Sequence, residues 1–238
     1  MASLLALFSS LLWGASDFYG GKLSKKHPAL AVTAVSQAIG LVIGVTIVLV
    51  STSWIKPDLS WEGYFLPGVM AGSLGFIGLV AFYSGLATGR MGVVAPISAL
   101  SVVIPITIAF INGEKPTSLQ IIGMSVALIG AVCASGPEIK GGLAVRPIIL
   151  AVIAACGFGG AVTFIAKGSA TSALMTMTTM RFTTFIVALF LFARFRSVGG
   201  LKVKNLPILI LIGGADFAGN LLLGVATTKG LVSVAVVL

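Results

Sequence analysis

The sequence is poor in charge, and it contains only two cysteines and one histidine. Charged residues make up 9% of the 238, whereas an ordinary soluble domain carries about 25%. With His27 as the one histidine and six acidic residues in all, the chain has little material for the clustered ligands or Ser-His pairs of hydrolytic chemistry. Cys133 and Cys156 lie in apolar runs and form no metal-ligand or redox motif, so they are interpreted as small packing residues. We therefore expect no metal and no cofactor.

The chain is rich in apolar residues. Hydrophobic residues are 58% of the chain and the mean hydropathy is +1.14, which indicates an integral membrane protein with the lipid bilayer as its surroundings. The net charge of +9 does not point to nucleic acid, because Lys and Arg cluster in short hydrophilic breaks as loop charges do. No basic region precedes the first apolar run, so that run is predicted to be a spanning helix rather than a cleaved signal.

The chain divides into segments of the length that a membrane requires, since about 20 mostly apolar residues cross a bilayer core as a helix. Eight segments qualify and a ninth is cut short after it begins. The predicted segments are residues 2–21, 29–51, 65–87, 91–111, 119–135, 147–166, 173–192, 206–227 and 231–238. The main hydrophilic break, at residues 136–142, is the predicted boundary between two halves.

The two halves share matching positions. The matches are Gly85 with Gly224, Arg90 with Lys229, Trp13 with Phe158 and Lys22 with Lys167. A repeat of five helices places the halves in opposite orientations, which is the inverted-repeat construction of secondary transporters. The predicted fold is an all-α polytopic transmembrane bundle of two inverted five-helix repeats, at residues 1–137 and 146–238. Ten helices are expected and about eight and a half are present, so Leu238 is interpreted as the end of a fragment.

Several short motifs follow one another along the first half of the chain. They are Trp13-Gly14, the turn beginning Gly85-Leu-Ala-Thr before a helix with Pro and Ser, Asn112-Gly-Glu114, and the span from Gly123 to Gly130. Together they resemble the EamA-like repeat of the drug/metabolite transporter superfamily. The resemblance implies export or uptake of small metabolites through a central pocket lined mainly by helices one, three, four, six, eight and nine. The second half departs from the pattern, because Ala235 stands where Pro96 would be matched.

Intramembrane charge is the most informative chemistry. Asp216 falls near the middle of the eighth segment, and Asn220 lies one turn later on the same face. A central carboxylate costs at least about 2.5 kcal/mol to insert and usually faces a wet cavity or a partner. Asp216 is therefore predicted to bind substrate or take up a coupling proton, with a structural hydrogen bond as the alternative. Asp17 is a second candidate that could instead pair with Lys22 or solvent.

Arg181 in the seventh segment is a candidate counter-ion for Asp216. It could also bind an anionic substrate, and a side chain of this length could equally snorkel to the interface. A lone Gln37 on helix two is interpreted as an interhelical hydrogen-bonding residue.

Further pocket residues are predicted on helices one, three and four. Trp13 and Tyr83 are candidate pocket walls by family position, with packing as the alternative. Pro96 and Pro105 free backbone carbonyls in helix four, which are tolerated where they face protein or a water-filled cavity. Ser98 and Ser101 complete the predicted pocket wall on that helix.

The predicted function is a multi-pass secondary carrier of the inner membrane that moves a small metabolite by alternating access, with proton coupling through Asp216 as a hypothesis. A lipid-phosphate-processing enzyme and a non-transporting scaffold are the alternatives. No P-loop sequence is present, so an ATP-driven pump would need a separate subunit. Orientation is contested: most Lys and Arg follow odd-numbered helices, which favours an outside N-terminus, whereas the resemblance implies a cytoplasmic one, which we prefer.

Overall fold

The computed structural model describes residues 1–89, 91–134, 145–195 and 199–238. Arg90 and the predicted break at residues 136–142 lie outside this description. The helices are α1 (Ala2–Ser24), α2 (Ala29–Val50), α3 (Phe65–Thr88), α4 (Met91–Ala99), α5 (Val103–Ile111), α6 (Ser118–Ala134), α7 (Val145–Phe195), α8 (Leu206–Lys229) and α9 (Val232–Ala235).

The predicted all-α membrane bundle is confirmed. Among the described residues, five helical stretches are long and apolar enough to cross a membrane: Ala29–Val50, Phe65–Thr88, Met91–Ile111, Val145–Phe190 and Val203–Lys229. Two further predicted segments are α1, which has 23 residues but is slightly less apolar, and α6, which has 17. The division into two repeats stays a prediction.

The fourth predicted segment is broken within the membrane. Residues Leu100–Val102 form a tighter 3₁₀ turn between α4 and α5. Pro105 has no N–H to donate to the carbonyl of Ser101 four residues earlier, so the regular α-helical ladder cannot run through this point. Pro105 thus divides one spanning segment into two short helices, whereas Pro96 lies within α4.

The predicted break between segments six and seven is present but shorter than expected, because residues 167–171 are also helical. Helical geometry runs from Val145 to Phe195 and is interrupted at Ser172, whose φ of −163° and ψ of 113° are extended. A Cβ on Gly168 would lie 2.7 Å from the Thr176 hydroxyl oxygen, although eight residues of straight helix would separate them by about 12 Å. The chain therefore reverses at Ser172, and α7 has a first arm (residues 145–171) and a second arm (residues 173–195).

Glycine lets α3 approach both arms of α7. A Cβ on Gly72 would lie 2.6 Å from the carbonyl oxygen of Met180 in the second arm, and one on Gly157 in the first arm would lie 2.7 Å from the Cα of Gly78. Small residues at such positions let helix backbones come close together, which is how membrane helices gain packing energy. The backbones of α3 and both arms of α7 therefore lie in close contact at these glycines.

Trp13 and Phe158, which the repeat matches, occupy reciprocal places. The Trp13 indole on α1 lies against Gly219 of α8, and the Phe158 ring on α7 lies against Gly78 of α3. Each ring comes from one predicted repeat and packs on the other. This exchange is what an inverted repeat would produce.

Glu114, which follows α5, caps the start of α9. Its carboxylate accepts the backbone N–H groups of Val232 at 2.7 Å and Ser233 at 3.0 Å, and the Ser233 hydroxyl at 2.6 Å. The first N–H groups of a helix have no partner within it, and negative charge there is stabilising. A residue from the first predicted repeat therefore holds the beginning of the ninth helix.

The Glu114→Gln variant is expected to lose about 1 kcal/mol of unfolding free energy, because neutral hydrogen bonds replace charge-assisted ones at the helix start. Thermal unfolding of purified protein in detergent would show this as a lower midpoint. Glu62→Gln is the control, since the Glu62 side chain is 88% exposed in its pair with Lys167. Equal midpoints for both variants would contradict the capping role.

Candidate functional site

A cavity of about 540 Å³ lies inside the bundle. Its lining comes from α1 to α6, both arms of α7, α8 and residues 235–238. In the numbering of the predicted segments, the expected helices one, three, four, six, eight and nine all contribute to the lining. Segments two, five and seven contribute as well. The volume falls within the range of about 300–1,000 Å³ that is usual for small-molecule pockets.

Asp216 is the centre of a buried polar network at the cavity wall. Its Oδ2 accepts a hydrogen bond from Gln37 Nε2 at 2.7 Å and lies 2.9 Å from Arg181 Nη2 in an ion pair. Its Oδ1 accepts a hydrogen bond from Asn220 Nδ2 at 3.1 Å. Arg181 Nη1 also donates to Gln37 Oε1. The network therefore ties together α2, the second arm of α7 and α8.

Arg181 stays inside the bundle and does not snorkel to the interface. It is 1% exposed, and its guanidinium crosses the face of α2 at Gly40, where a Cβ would lie 3.1 Å from Nε. The absence of a side chain at Gly40 makes room for the arginine beside Gln37. A buried charge of this kind requires a partner, and Asp216 is that partner.

Two serines of α1 hold that helix against α8 on either side of Asp216. Ser16 Oγ donates to the Ile212 carbonyl at 3.0 Å, and Ser9 Oγ donates to the Gly219 carbonyl at 2.8 Å. The Trp13 indole lies between them against Gly219. These contacts place the cavity-lining face of α1 next to the charged network.

Asp17 lines the cavity on α1. Its side chain is partly exposed, and Asp216 is the other carboxylate on the cavity wall. Within the described part of the chain, Asp17 forms no hydrogen bond or ion pair, and the alternative pairing with Lys22 is not made.

The other predicted residues divide into two groups. Those on the cavity wall, besides the charged network and Asp17, are Trp13, Ser98, Ser101 and Pro105. Tyr83 is fully buried behind the wall, with its hydroxyl 3.5 Å from the Ser16 carbonyl, and it meets Gly20 of α1. Pro96 also lies outside the described lining. Tyr83 and Pro96 therefore do not face the cavity.

Sequence reasoning gave too little weight to Gln37 and did not identify Ser9 or Ser16 as site residues. Gln37 was expected to bond between helices, and the structure shows that it bonds to both charged members of the network. A polar side chain within an apolar membrane helix is the signal for such a role. The serines gave no such signal, because membrane helices commonly contain them.

No group of three or more His, Cys, Asp or Glu suited to a metal ion occurs in the ranges that the structure describes. The chemistry of the cavity is instead that of carboxylate, guanidinium, amide and hydroxyl groups facing apolar and aromatic side chains. Such an arrangement can bind and orient a small molecule that carries charge.

Apolar spanning helices around a central cavity, whose mainly apolar wall carries a few charged and polar groups, define a multi-pass membrane protein. The EamA-like transporter family matches residues 1–136, which is more than half of the chain. This chain therefore belongs to the EamA-like transporter family, and the family predicted from the sequence is confirmed. It is a membrane transporter of the drug/metabolite transporter type.

A solved structure, titled "Crystal structure of protein", is similar to this chain with a TM-score of 0.74 at 17% sequence identity. The similarity covers 99% of this chain and 82% of the other. At this identity it shows the fold alone. No curated protein matches this chain.

Proposed function

We propose that this protein is a secondary carrier that moves a small polar or amphipathic metabolite across the inner (plasma) membrane by alternating access. The observation that carries the proposal is the paired Asp216 and Arg181 at the wall of a cavity of about 540 Å³. Intramembrane ion pairs are costly and occur chiefly along substrate and ion pathways. A scaffold gains nothing from such a pair, which favours the carrier over that alternative.

The positions of the polar contacts support the alternating-access motion. The Asp216 network joins α2, α7 and α8, and Glu114 joins the two predicted repeats at the start of α9. In inverted-repeat carriers, one bundle rocks against the other around a central site. The Asp216 network and the Glu114 cap both connect one predicted repeat to the other, and the network also lies at the cavity. Polar contacts in these places are suited to break and re-form during such a motion.

Proton coupling through Asp216 is the second part of the proposal. Protonation of Asp216 would remove its ion pair with Arg181 and weaken its bond to Gln37, so proton uptake would loosen three helices at once. The titratable or charged groups near Asp216 are Arg181 on α7, Asp17 on α1 and Tyr83 on α3. Asp17 is the nearby carboxylate that could exchange the proton with the cavity.

The experiment compares extracellular metabolites from cells expressing the protein with those from cells expressing Asp216→Asn, at two external pH values. We expect one compound to accumulate with the unmodified protein, to an extent that depends on pH. Asp216→Asn should abolish the pH dependence, since an amide cannot take up the proton.

A second variant guards against misfolding, because Asp216→Asn leaves Arg181 without its counter-ion. The double variant Arg181→Met with Asp216→Asn restores charge balance and should also lack pH dependence. If all three proteins export the compound alike, Asp216 is structural and the coupling is disproved. If none changes any metabolite, export of a metabolite is disproved.

A further inference from the structure

The charged groups of the cavity do not balance. Of the residues that the structure places on its wall, the charged ones are Asp17, Asp216 and Arg181. Arg181 is committed to Asp216 by the ion pair at 2.9 Å and to Gln37 by a hydrogen bond. With both carboxylates ionised, one negative charge is left over, and it lies on Asp17.

Asp17 is also the carboxylate with free hydrogen-bonding capacity. Both oxygens of Asp216 already accept a side-chain hydrogen bond, one from Gln37 and the other from Asn220. The oxygen that Gln37 contacts is also ion-paired with Arg181. Across the described ranges, no side chain or backbone group donates to Asp17. An unpaired carboxylate at membrane depth is costly, and a bound cation would remove that cost.

The surroundings of Asp17 select the shape of the cation. Trp13 lies four residues earlier on α1, so its indole shares the cavity face with Asp17. Phe18, Phe82 and Phe158 also line the cavity, whose wall is otherwise largely aliphatic. Aromatic faces attract a cation that has lost its water, and apolar walls favour a ligand with an apolar body.

From this arrangement we infer that Asp17 is the receptor carboxylate for an organic monocation, namely a protonated amine attached to an apolar or aromatic body. The ammonium group would donate hydrogen bonds to Asp17, and its body would contact Trp13 and the apolar wall. This inference deepens the proposed carrier function and rests on it for its transport role, although binding itself is tested separately.

The probe is radiolabelled phenethylammonium, with binding to the purified protein measured at equilibrium in detergent. Neutral 2-phenylethanol and anionic 3-phenylpropionate have similar bodies and serve as competitors. We expect saturable phenethylammonium binding that neither competitor displaces at equal concentration. Asp17→Asn should weaken it at least about tenfold, because a charge-assisted hydrogen bond is lost.

Two variants make the result specific. Asp17→Glu keeps the charge and should retain binding within about threefold of the unmodified protein. Asp58→Asn changes an acidic residue in the loop before α3, outside the cavity. The hydroxyl and backbone amide of Ser60 donate to Asp58 and lower the pKa of its carboxyl. The substitution therefore removes a full negative charge at a distance from the proposed site. It should leave binding unchanged.

The inference is overturned if the unmodified protein binds no phenethylammonium, if 2-phenylethanol displaces it equally well, or if Asp17→Asn binds as tightly as Asp58→Asn. Reconstitution into vesicles separates this failure from that of the carrier. Flux of an exported metabolite that phenethylammonium does not inhibit would leave the carrier standing and the cation site disproved. Asp17-dependent binding without flux of any solute would leave the site standing and the carrier disproved.

Discussion

Arg181→Met is expected to cost about 3–5 kcal/mol of unfolding free energy, because removing one member of a buried ion pair leaves the other charge uncompensated. The side chain of Arg181 is 1% exposed and that of Asp216 is 11% exposed. Water therefore cannot replace the lost partner well. Gln37 would lose its bond from Arg181 in the same variant.

Asp216→Asn is expected to cost a similar amount for the converse reason. The guanidinium cannot lose its charge, so it would stay ionised beside a neutral amide within the bundle. Asn220 and Gln37 would retain an oxygen acceptor at position 216. The defect is thus mainly electrostatic rather than a loss of packing.

The double variant Arg181→Met with Asp216→Asn should be more stable than either single variant. Buried ion pairs replaced together by neutral residues often cost little, so the coupling energy from the double-mutant cycle should reach about 2–3 kcal/mol. The measurement is chemical unfolding in mixed micelles followed by far-UV circular dichroism. Strictly additive losses would show that the two side chains contribute independently and that the ion pair is not the stabilising element.

The helices could be predicted from the sequence because membrane spans are encoded locally. An apolar stretch of sufficient length must satisfy its backbone hydrogen bonds internally, so the predicted segments correspond closely to α1, α2, α3, α6 and α8. The break between segments six and seven is shorter than predicted, because one extended residue, Ser172, suffices to reverse the chain. The hydropathy of the sequence falls near Lys167, and such a fall is typical of a loop.

The charged site could be predicted only in part. Asp216, Asn220 and Arg181 stand out because charge and amide groups are rare in apolar helices, and Asn220 follows Asp216 at helical spacing. Their assembly with Gln37 depends on which faces of α2, α7 and α8 meet, and no local pattern specifies that. Tyr83 shows the same limit, since it lies 0% exposed behind the wall that Trp13 lines.

Asp17 illustrates why the sequence left its environment open. Its neighbour Lys22 lies five residues on, which made a pair on one helix a reasonable alternative. The structure instead directs Asp17 into the cavity, because Ser9 and Ser16 bind one side of α1 to α8 and thereby set its rotation. Such rotation is a property of packing between helices.

Gly213→Val is expected to cost at least about 3 kcal/mol, at the upper end of what overpacking causes. Gly213 on α8 meets the backbone of α2: a Cβ there would overlap the Ser36 carbonyl oxygen and would lie 3.1 Å from the Ser36 carbonyl carbon. A backbone obstacle cannot move aside as a side chain can, so the two helices would have to separate.

Separation at Gly213 should act on the charged network as well as on stability. Gly213 is three residues before Asp216, and Ser36 is next to Gln37, so the helices would part where Gln37 donates to Asp216 at 2.7 Å. A longer distance would leave the Gln37 amide N–H without its acceptor, and an unpaired buried group costs about 1–3 kcal/mol. Asp216 would keep Arg181 and Asn220. We therefore expect Gly213→Val to lose transport even in the fraction that stays folded.

The neighbouring glycine supplies the control. A Cβ on Gly214 would meet Ile43 Cδ1 at 3.6 Å, which is ordinary contact, so Gly214→Ala should change the unfolding free energy by less than about 1 kcal/mol. Unfolding in mixed micelles would measure both variants, and uptake or export in vesicles would report the network. Equal stability of Gly213→Val and Gly214→Ala would mean that α2 and α8 do not need this close approach, and that the Gln37 to Asp216 bond tolerates wider spacing.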